Sequence, residues 1–293
     1  MKRASLSLLM LLAACSGSGS TVDRKDGGGA GTSGGAGTTG VAGTTGAAGT
    51  TGSAGTTATA GTTGTAGTTG TAGTSAPDGG SPDAADARPP FAGTAKLMVV
   101  GSSNEESTCW RAFLWQKLRA AGVTDFDFIG RNDAGPDCNV PGYDKDSEAH
   151  GGTVVGNITA DQWAATFASK PDFVLQHNGG ADLLNGKSVK SVLDAYTLSV
   201  KEARKANPKV IWLAGQHTPQ GNAGNVADVV TLNQMMVPWA AGLTTAESPV
   251  ILVDLFTGID QATDTSDGTH LSVPGSQKVS DRFLAALLPF LKP

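Results

Sequence analysis

Short apolar runs alternate with segments of helical periodicity in the C-terminal two thirds of the chain. Each run has the length of a buried strand and is bounded by polar or turn-forming residues. The five runs are Lys96 to Gly101, Phe126 to Gly130, Asp172 to Gln176, Val210 to Ala214 and Pro249 to Leu255. Between and after them, apolar residues recur at helical spacing in residues 110–118, 161–169, 189–203, 226–241 and 276–288.

This alternation predicts the α/β class. Strands rich in Val, Ile and Leu are typical of a parallel sheet that helices cover on both faces. We therefore expect a three-layer α/β/α fold with a parallel, flavodoxin-like, five-stranded sheet. In such folds the functional loops follow the carboxyl ends of the strands, near the point where the strand order reverses. Polar residues at those positions are the candidates for chemistry.

The first 15 residues have the pattern of an export signal. Lys2 and Arg3 precede a leucine-rich run that is too short to span a bilayer, which is typical of a signal peptide. The run ends in Leu-Ala-Ala-Cys at Cys15, which resembles the bacterial lipobox, in which the cysteine is lipidated. An ordinary signal peptide with an incidental cysteine is the alternative. We expect an exported lipoprotein, anchored to a membrane through Cys15, at the cell surface or in the periplasm.

Residues 16–90 are almost devoid of large apolar side chains. A six-residue unit repeats through residues 36–73, as AGTTG plus a variable residue in five copies and as AGTTAT in one. A hexapeptide β-helix needs a large apolar residue in each unit to fill its interior, and here Gly, Ala or Thr stands in that place. We therefore expect a disordered linker over 16–90 and one domain of ordinary size over 91–293. The net charge of -5, without a basic cluster, argues against nucleic-acid binding.

Two cysteines fall inside that domain, Cys109 and Cys138. In an exported protein an isolated pair favours a disulfide over two free thiols. Neither a CxxC motif nor a Cys/His spacing indicates a structural zinc site.

Polar residues follow three of the predicted strands, and one further polar motif precedes the last helix. Ser102 and Ser103 follow the first strand, Gly130 ends the second, and residues 177–182 follow the third. Near the C-terminus stands Asp267-Gly268-Thr269-His270. Acyl transfer by serine requires an imidazole as base and a carboxylate that orients it, and an aspartate three residues before a histidine can supply both. The alternative is that Asp-Gly only forms a turn and the histidine is a surface residue.

Taken in order, these blocks resemble those of the SGNH/GDSL hydrolase superfamily, and more narrowly carbohydrate esterase family three, the acetyl xylan esterases. The segments that carry the resemblance are CWRAFLWQKL, DFIG, EAHGG and ATDTSDGTH, at residues 109–118, 127–130, 148–152 and 262–270.

The resemblance implies the SGNH hydrolase fold and assigns a role to each residue of the site. Ser103 is the nucleophile, His270 the general base and Asp267 its orienting carboxylate. The backbone N–H groups of Ser103 and Gly130 are oxyanion donors. It also implies a disulfide between Cys109 and Cys138, and catalysis without a metal or other cofactor. The expected substrate is an acetylated polysaccharide or a small acyl ester, and the expected state is a monomer.

Three departures from the family pattern bear on activity. Ser102 replaces the aspartate of Gly-Asp-Ser, and Ala181 stands where the superfamily has the asparagine of the oxyanion hole. Asn178 and Asn185 are the candidate substitutes for that donor. Glu105 and Glu106 lie close to Ser103, and a like charge raises the energy of a developing oxyanion unless the two glutamates cap a helix or hold a cation.

These observations predict a carbohydrate esterase that removes acetyl groups from polysaccharide through a Ser-His-Asp triad. Loss of the asparagine donor weakens its activity. The alternative is a catalytically inactive carbohydrate-binding or cell-surface adhesion protein on the same fold.

Overall fold

A computed structural model of the chain describes residues 91–221 and 223–291. The predicted signal peptide, Cys15 and the predicted linker lie outside the described residues. Within the part that the structure describes, no helix is both long enough and apolar enough to cross a bilayer.

The described residues form an alternating series of strands and helices. The strands are β1 (Ala95–Gly101), β2 (Phe126–Phe128), β3 (Glu148–Ala149), β4 (Phe173–His177), β5 (Ile211–Gly215) and β6 (Val250–Val253). The α-helices are α1 (Ser103–Ser107), α2 (Trp110–Ala120), α3 (Ala160–Thr166), α4 (Gly180–Leu184), α5 (Val189–Ala206), α6 (Ala223–Leu243), α7 (Gln261–Asp264) and α8 (Val273–Leu287). Two 3-10 helices cover Val155–Asn157 and Phe167–Ser169.

The strands form one parallel sheet in the order β2-β1-β4-β5-β6. This is the flavodoxin-like order, and it confirms the predicted fold class. The difference is an added sixth strand: β3 pairs with the end of β1, where Val100 lies opposite Glu148 and Gly101 opposite Ala149. A strand of two residues is too short to leave a periodic pattern in the sequence, so the prediction had only a loop there.

Two apolar layers cover the sheet, one on each face. Leu97 and Val99 of β1 point into the layer that contains α2 and α8, where Trp110 stacks on Phe283 with ring centroids 4.9 Å apart. Met98 and Val100 point into the opposite layer, which contains α3, α5 and α6. The alternation along one strand is what a sheet covered on both faces requires. The resulting three-layer core holds the carboxyl ends of the strands in place.

The long loop between β2 and β3 is fastened to α2 at two points. The expected disulfide is present: Cys109, which precedes α2, is bonded to Cys138, with Cα atoms 5.6 Å apart. The buried guanidinium of Arg111 donates to three backbone carbonyls, those of Glu105, Ala134 and Lys145, at 2.5 to 2.9 Å. These contacts fix residues 129–147 against the start of the domain, next to the turn that carries Ser103.

Candidate active site

Ser103 lies on a tight turn between β1 and α1. Gly101 ends the strand, and a β-carbon at this position would lie 2.0 Å from Cγ of Glu105, so the turn requires glycine. The backbone N–H of Ser102 donates to the Glu105 carboxylate at 2.8 Å, which closes the first turn of α1. Ser103 is the first residue of that helix, where N–H groups have no partner within the helix. The turn therefore presents a half-buried hydroxyl with backbone donors beside it.

The structure brings Ser103, His270 and Asp267 into one hydrogen-bonded chain. Nε2 of His270 lies 2.9 Å from Oγ of Ser103, and Nδ1 of His270 lies 2.7 Å from Oδ2 of Asp267. Because a carboxylate only accepts, Nδ1 carries the proton and Nε2 is left to accept the serine proton. This is the arrangement that a serine nucleophile, its base and an orienting carboxylate require.

Asp267 is held in its charged form. Its Oδ1 accepts the backbone N–H groups of His270 at 2.8 Å and Thr269 at 2.9 Å. The hydrogen bonds from the His270 backbone and side chain lower the pKa of Asp267 to about 2. The carboxylate is thus ionised at neutral and mildly acidic pH.

Asn104 joins the serine turn to the histidine loop, a role that the sequence did not reveal. Its side chain is buried, donates to the carbonyl of Thr269 at 3.1 Å and accepts from the N–H of Leu271 at 2.9 Å. The Asn104 side chain therefore binds the backbone on both sides of His270. The partners are 165 and 167 residues away along the chain, so no local pattern signals the contact.

The two acidic residues after Ser103 form hydrogen bonds with neighbouring segments. Glu105 is fully buried, and besides Ser102 it accepts from Nδ1 of His177 at 2.6 Å. Glu106 accepts from the backbone N–H of Gly151 at 2.8 Å and from the side chain of Asn132 at 3.0 Å. The Glu105 carboxylate therefore caps α1, and the Glu106 carboxylate binds the loop residues 132 and 151.

His177, the last residue of β4, and His217, which follows β5, are buried side by side with ring centroids 5.0 Å apart. Burial, with a smaller contribution from His177, lowers the pKa of His217 to about 3. His217 is therefore neutral at physiological pH. Over residues 91–221 and 223–291, no group of three His, Cys, Asp or Glu side chains is arranged to hold a metal ion.

The structure places Gly130 beside the entry to β3, and its role as an oxyanion donor stays a prediction. Gly130 follows β2, whose last residue, Phe128, pairs with Leu97 of β1. A β-carbon on Gly130 would lie 2.0 Å from the carbonyl oxygen of Ser147, at the entry to β3. The unexpected strand β3 pairs with the end of β1. After it, the N–H of His150 donates to the carbonyl of Gly101 at 3.2 Å, and the N–H of Gly151 donates to Glu106.

Ala181 does line a small cavity with Ser103, as the resemblance implies for the asparagine position. That cavity measures about 30 Å³ and is also lined by His177, His217 and Gln220. A second cavity of about 340 Å³ opens on the same edge of the sheet and has polar groups from Arg131, Glu148 and Gln162 in its wall. The site thus combines a narrow space at the hydroxyl of Ser103 with a wider polar space in the range of small-molecule sites.

The chain was compared with known protein families, sequences and solved structures. No protein-family profile matches the chain, and a search of curated protein sequences finds no match. Solved structures do match. An acetyl esterase, a serine-to-alanine mutant with an acetate ion, is 28% identical, covers 66% of this chain and 96% of its own, and has a TM-score of 0.63. A carbohydrate esterase of family 3 from Talaromyces cellulolyticus is 29% identical, with the same coverage and TM-score.

A family 3 carbohydrate esterase from Clostridium thermocellum is 25% identical, covers 66% of this chain and 98% of its own, and has a TM-score of 0.53. The fold is that of the SGNH hydrolases. The solved structures to which the chain is similar include an acetyl esterase and two family 3 carbohydrate esterases.

Proposed function

We propose that the protein is a serine esterase that removes acetyl groups from acetylated carbohydrate. The observation that carries the proposal is the hydrogen-bonded chain from Ser103 through His270 to Asp267. It lies at the carboxyl edge of a sheet whose solved relatives include an acetyl esterase and two family 3 carbohydrate esterases. Esterase chemistry needs no group beyond these side chains and water.

The reaction proceeds in two balanced steps. Oγ of Ser103 attacks the ester carbonyl carbon, its proton passes to Nε2 of His270, and the carbonyl electron pair moves onto oxygen. Collapse of this intermediate expels the sugar oxygen, which takes the proton from Nε2 and leaves an acetyl group on Ser103. Water then attacks by the same route, releases acetate and restores the serine.

The two cavities support a short acyl group on a larger polar molecule. A space of about 30 Å³ beside Ser103 holds one or two water-sized groups, which suits an acetyl group better than a fatty acyl chain. The neighbouring cavity of about 340 Å³ offers the Arg131 guanidinium, Gln162 and His150 as hydrogen-bonding groups. Such a lining suits the hydroxyls of a sugar.

The test is hydrolysis of 4-nitrophenyl acetate and of acetylated xylan by the wild type and by Ser103→Ala. The variant should lose at least about a thousandfold in kcat while its melting temperature stays close to that of the wild type. Ser169→Ala, at an exposed serine remote from the site, is the matched control and should keep full activity. Equal rates for wild type and Ser103→Ala would overturn the proposal and favour the carbohydrate-binding or adhesion alternative.

We also propose that the chain is exported and anchored to a membrane through lipidated Cys15, with residues 16–90 as a flexible tether. The support is the signal-like N-terminus and the lipobox-like Leu-Ala-Ala-Cys. Expressed in a bacterium, the wild type should sediment with membranes. Cys15→Ala should shift it to the soluble exported fraction, whereas an unchanged distribution would contradict the anchor.

A further inference from the structure

The oxyanion hole lacks the side-chain donor that Ala181 has replaced, and neither asparagine expected to substitute lines the cavity at Ser103. The amide nitrogen of Asn185 donates to the backbone carbonyl of Ala181 at 2.7 Å. The side-chain oxygen of Asn178 accepts from Gln176 at 2.9 Å, and Asn178 lines the larger cavity instead of the one at Ser103. A donor, if present, has to come from another segment.

Gln220, in the loop between β5 and α6, has an unused amide at this place. The residue is 2% exposed, and its Nε2 is buried without a hydrogen-bond partner. It lines the cavity of about 30 Å³ together with Ser103 and Ala181. A buried donor without a partner destabilises the folded protein, so a group left in this state indicates an incoming acceptor.

The position of Gln220 relative to Ala181 also indicates that its amide can bind an acceptor in this cavity. A β-carbon on Gly180 would lie 2.4 Å from both Nε2 and Oε1 of Gln220, so the amide rests directly on the residue before Ala181. Glycine at 180 is what allows this approach. The Gln220 amide therefore occupies space next to the place where an asparagine side chain at 181 would extend.

We propose that the side-chain N–H of Gln220 donates to the ester oxygen as it becomes an oxyanion, in place of the missing asparagine. The inference rests on the proposed esterase function. When Ser103 attacks and the carbonyl electron pair moves onto oxygen, that oxygen gains a full negative charge and accepts the amide hydrogen. No proton or electron is transferred to Gln220, so the balance of the reaction is unchanged.

The loop that carries Gln220 is fixed to the loop that carries His270. The N–H of Gly221 donates to the carbonyl of Gly268 at 3.0 Å, and Nε2 of Gln261 donates to both of these residues' carbonyls at 2.7 and 2.6 Å. On the other side of Gln220, Asn233 bonds to both the N–H and the carbonyl of His217. A donor fixed in advance stabilises developing charge without reorganising during the reaction.

The experiment is a two-by-two set of variants measured with 4-nitrophenyl acetate. Gln220→Leu should lower kcat about a hundredfold with KM little changed, because the lost bond matters mainly in the transition state. Ala181→Asn alone should change kcat by less than about threefold, since the hole is already filled. Ala181→Asn in the Gln220→Leu background should recover at least about tenfold. Asn185→Leu is the matched control and should behave as the wild type.

Two results would overturn the inference. If Gln220→Leu keeps the wild-type kcat while Ala181→Asn alone raises it about a hundredfold, the hole is empty in the natural protein. If a folded wild type shows no Ser103-dependent hydrolysis, the esterase proposal fails, and the role of Gln220 fails with it. Thermal unfolding checks that each variant folds, and Gln220→Glu, which keeps the size and removes the donor, replaces Gln220→Leu if the leucine variant does not fold.

Discussion

Asp267 is the residue whose environment most directly shapes the pH dependence of catalysis. Hydrogen bonds from His270 lower its pKa to about 2, so the carboxylate is ionised at neutral and mildly acidic pH. Because only a neutral imidazole accepts the serine proton, kcat/KM should rise with pH and then level off. On logarithmic axes, the acid limb should have a slope of one. A slope of two would mean that two groups must lose a proton before the enzyme is active, which would contradict an Asp267 that is already ionised.

Asn104 provides a second prediction at the scale of single residues. Asn104→Ala removes the bonds to Thr269 and Leu271, which hold the histidine loop against the serine turn. We expect kcat to fall about ten- to a hundredfold with a smaller change in KM, because His270 loses its fixed position.

The control for Asn104→Ala is Asn185→Ala, which removes an exposed asparagine with one backbone bond and should leave kcat unchanged. A variant of Asn104 that unfolds at a lower temperature yet keeps the wild-type kcat would assign it to stability alone.

The local motifs of the site could be predicted from the sequence, and the contacts between distant segments could not. Ser103, Asp267 and His270 stand in short blocks with recognisable residue types, and the fold brings them together. Asn104 contacts the histidine loop, and Gln220 lies beside Ala181 from a different loop, so no spacing encodes either contact. Strand β3 was missed for a related reason, because a two-residue strand leaves no hydrophobic pattern. The role of Gly130 as an oxyanion donor stays a prediction.

The elements themselves were largely predicted, because their apolar faces pack on the sheet and leave a periodic signal. The predicted helices at 110–118 and 189–203 correspond to α2 and α5, and all five predicted strands are present. The α-helices that were missed are α1 and α4, of five residues each, and α7, of four. Helices this short do not repeat an apolar face often enough to leave a periodic signal.

The disulfide is the strongest covalent constraint between elements of the domain. It closes a loop of 29 residues between the start of α2 and the segment before β3. Replacing both cysteines by serine should lower the free energy of unfolding by about 3 to 4 kcal/mol, from the loop-closure entropy restored to the unfolded chain. Urea unfolding of an isolated domain starting at residue 91 measures this.

A reductant provides the control for this prediction. It should destabilise the wild-type domain to the same extent and leave the double serine variant unchanged. If reduction has no effect on the wild type, the thiols are not paired in the folded protein.

The stability of the whole molecule should depend on pH through His217. Its folded pKa of about 3 lies below the usual histidine value of about 6.5, so the unfolded chain binds a proton that the folded one excludes. The stabilising contribution is complete above about pH 6.5 and is lost progressively as the pH falls towards 3. Between pH 7 and 5 the loss should be about 2 kcal/mol.

Comparison with His217→Gln isolates this contribution, because glutamine does not titrate. The variant will be less stable than the wild type at pH 7, but its loss between pH 7 and 5 should be smaller by about 2 kcal/mol. Chemical denaturation at the two pH values measures both differences. An identical pH dependence in the two proteins would show that His217 is not the group responsible.

The separation of Ser103 and His270 along the chain has a consequence for biogenesis. The two side chains touch across 167 residues, and the histidine loop lies in the last tenth of the polypeptide. While the chain emerges from the ribosome, its serine has no partner to activate it, and it stays inert until the final strand and helix have closed the domain. Ester cleavage by this site therefore begins only after synthesis and folding of the domain are complete.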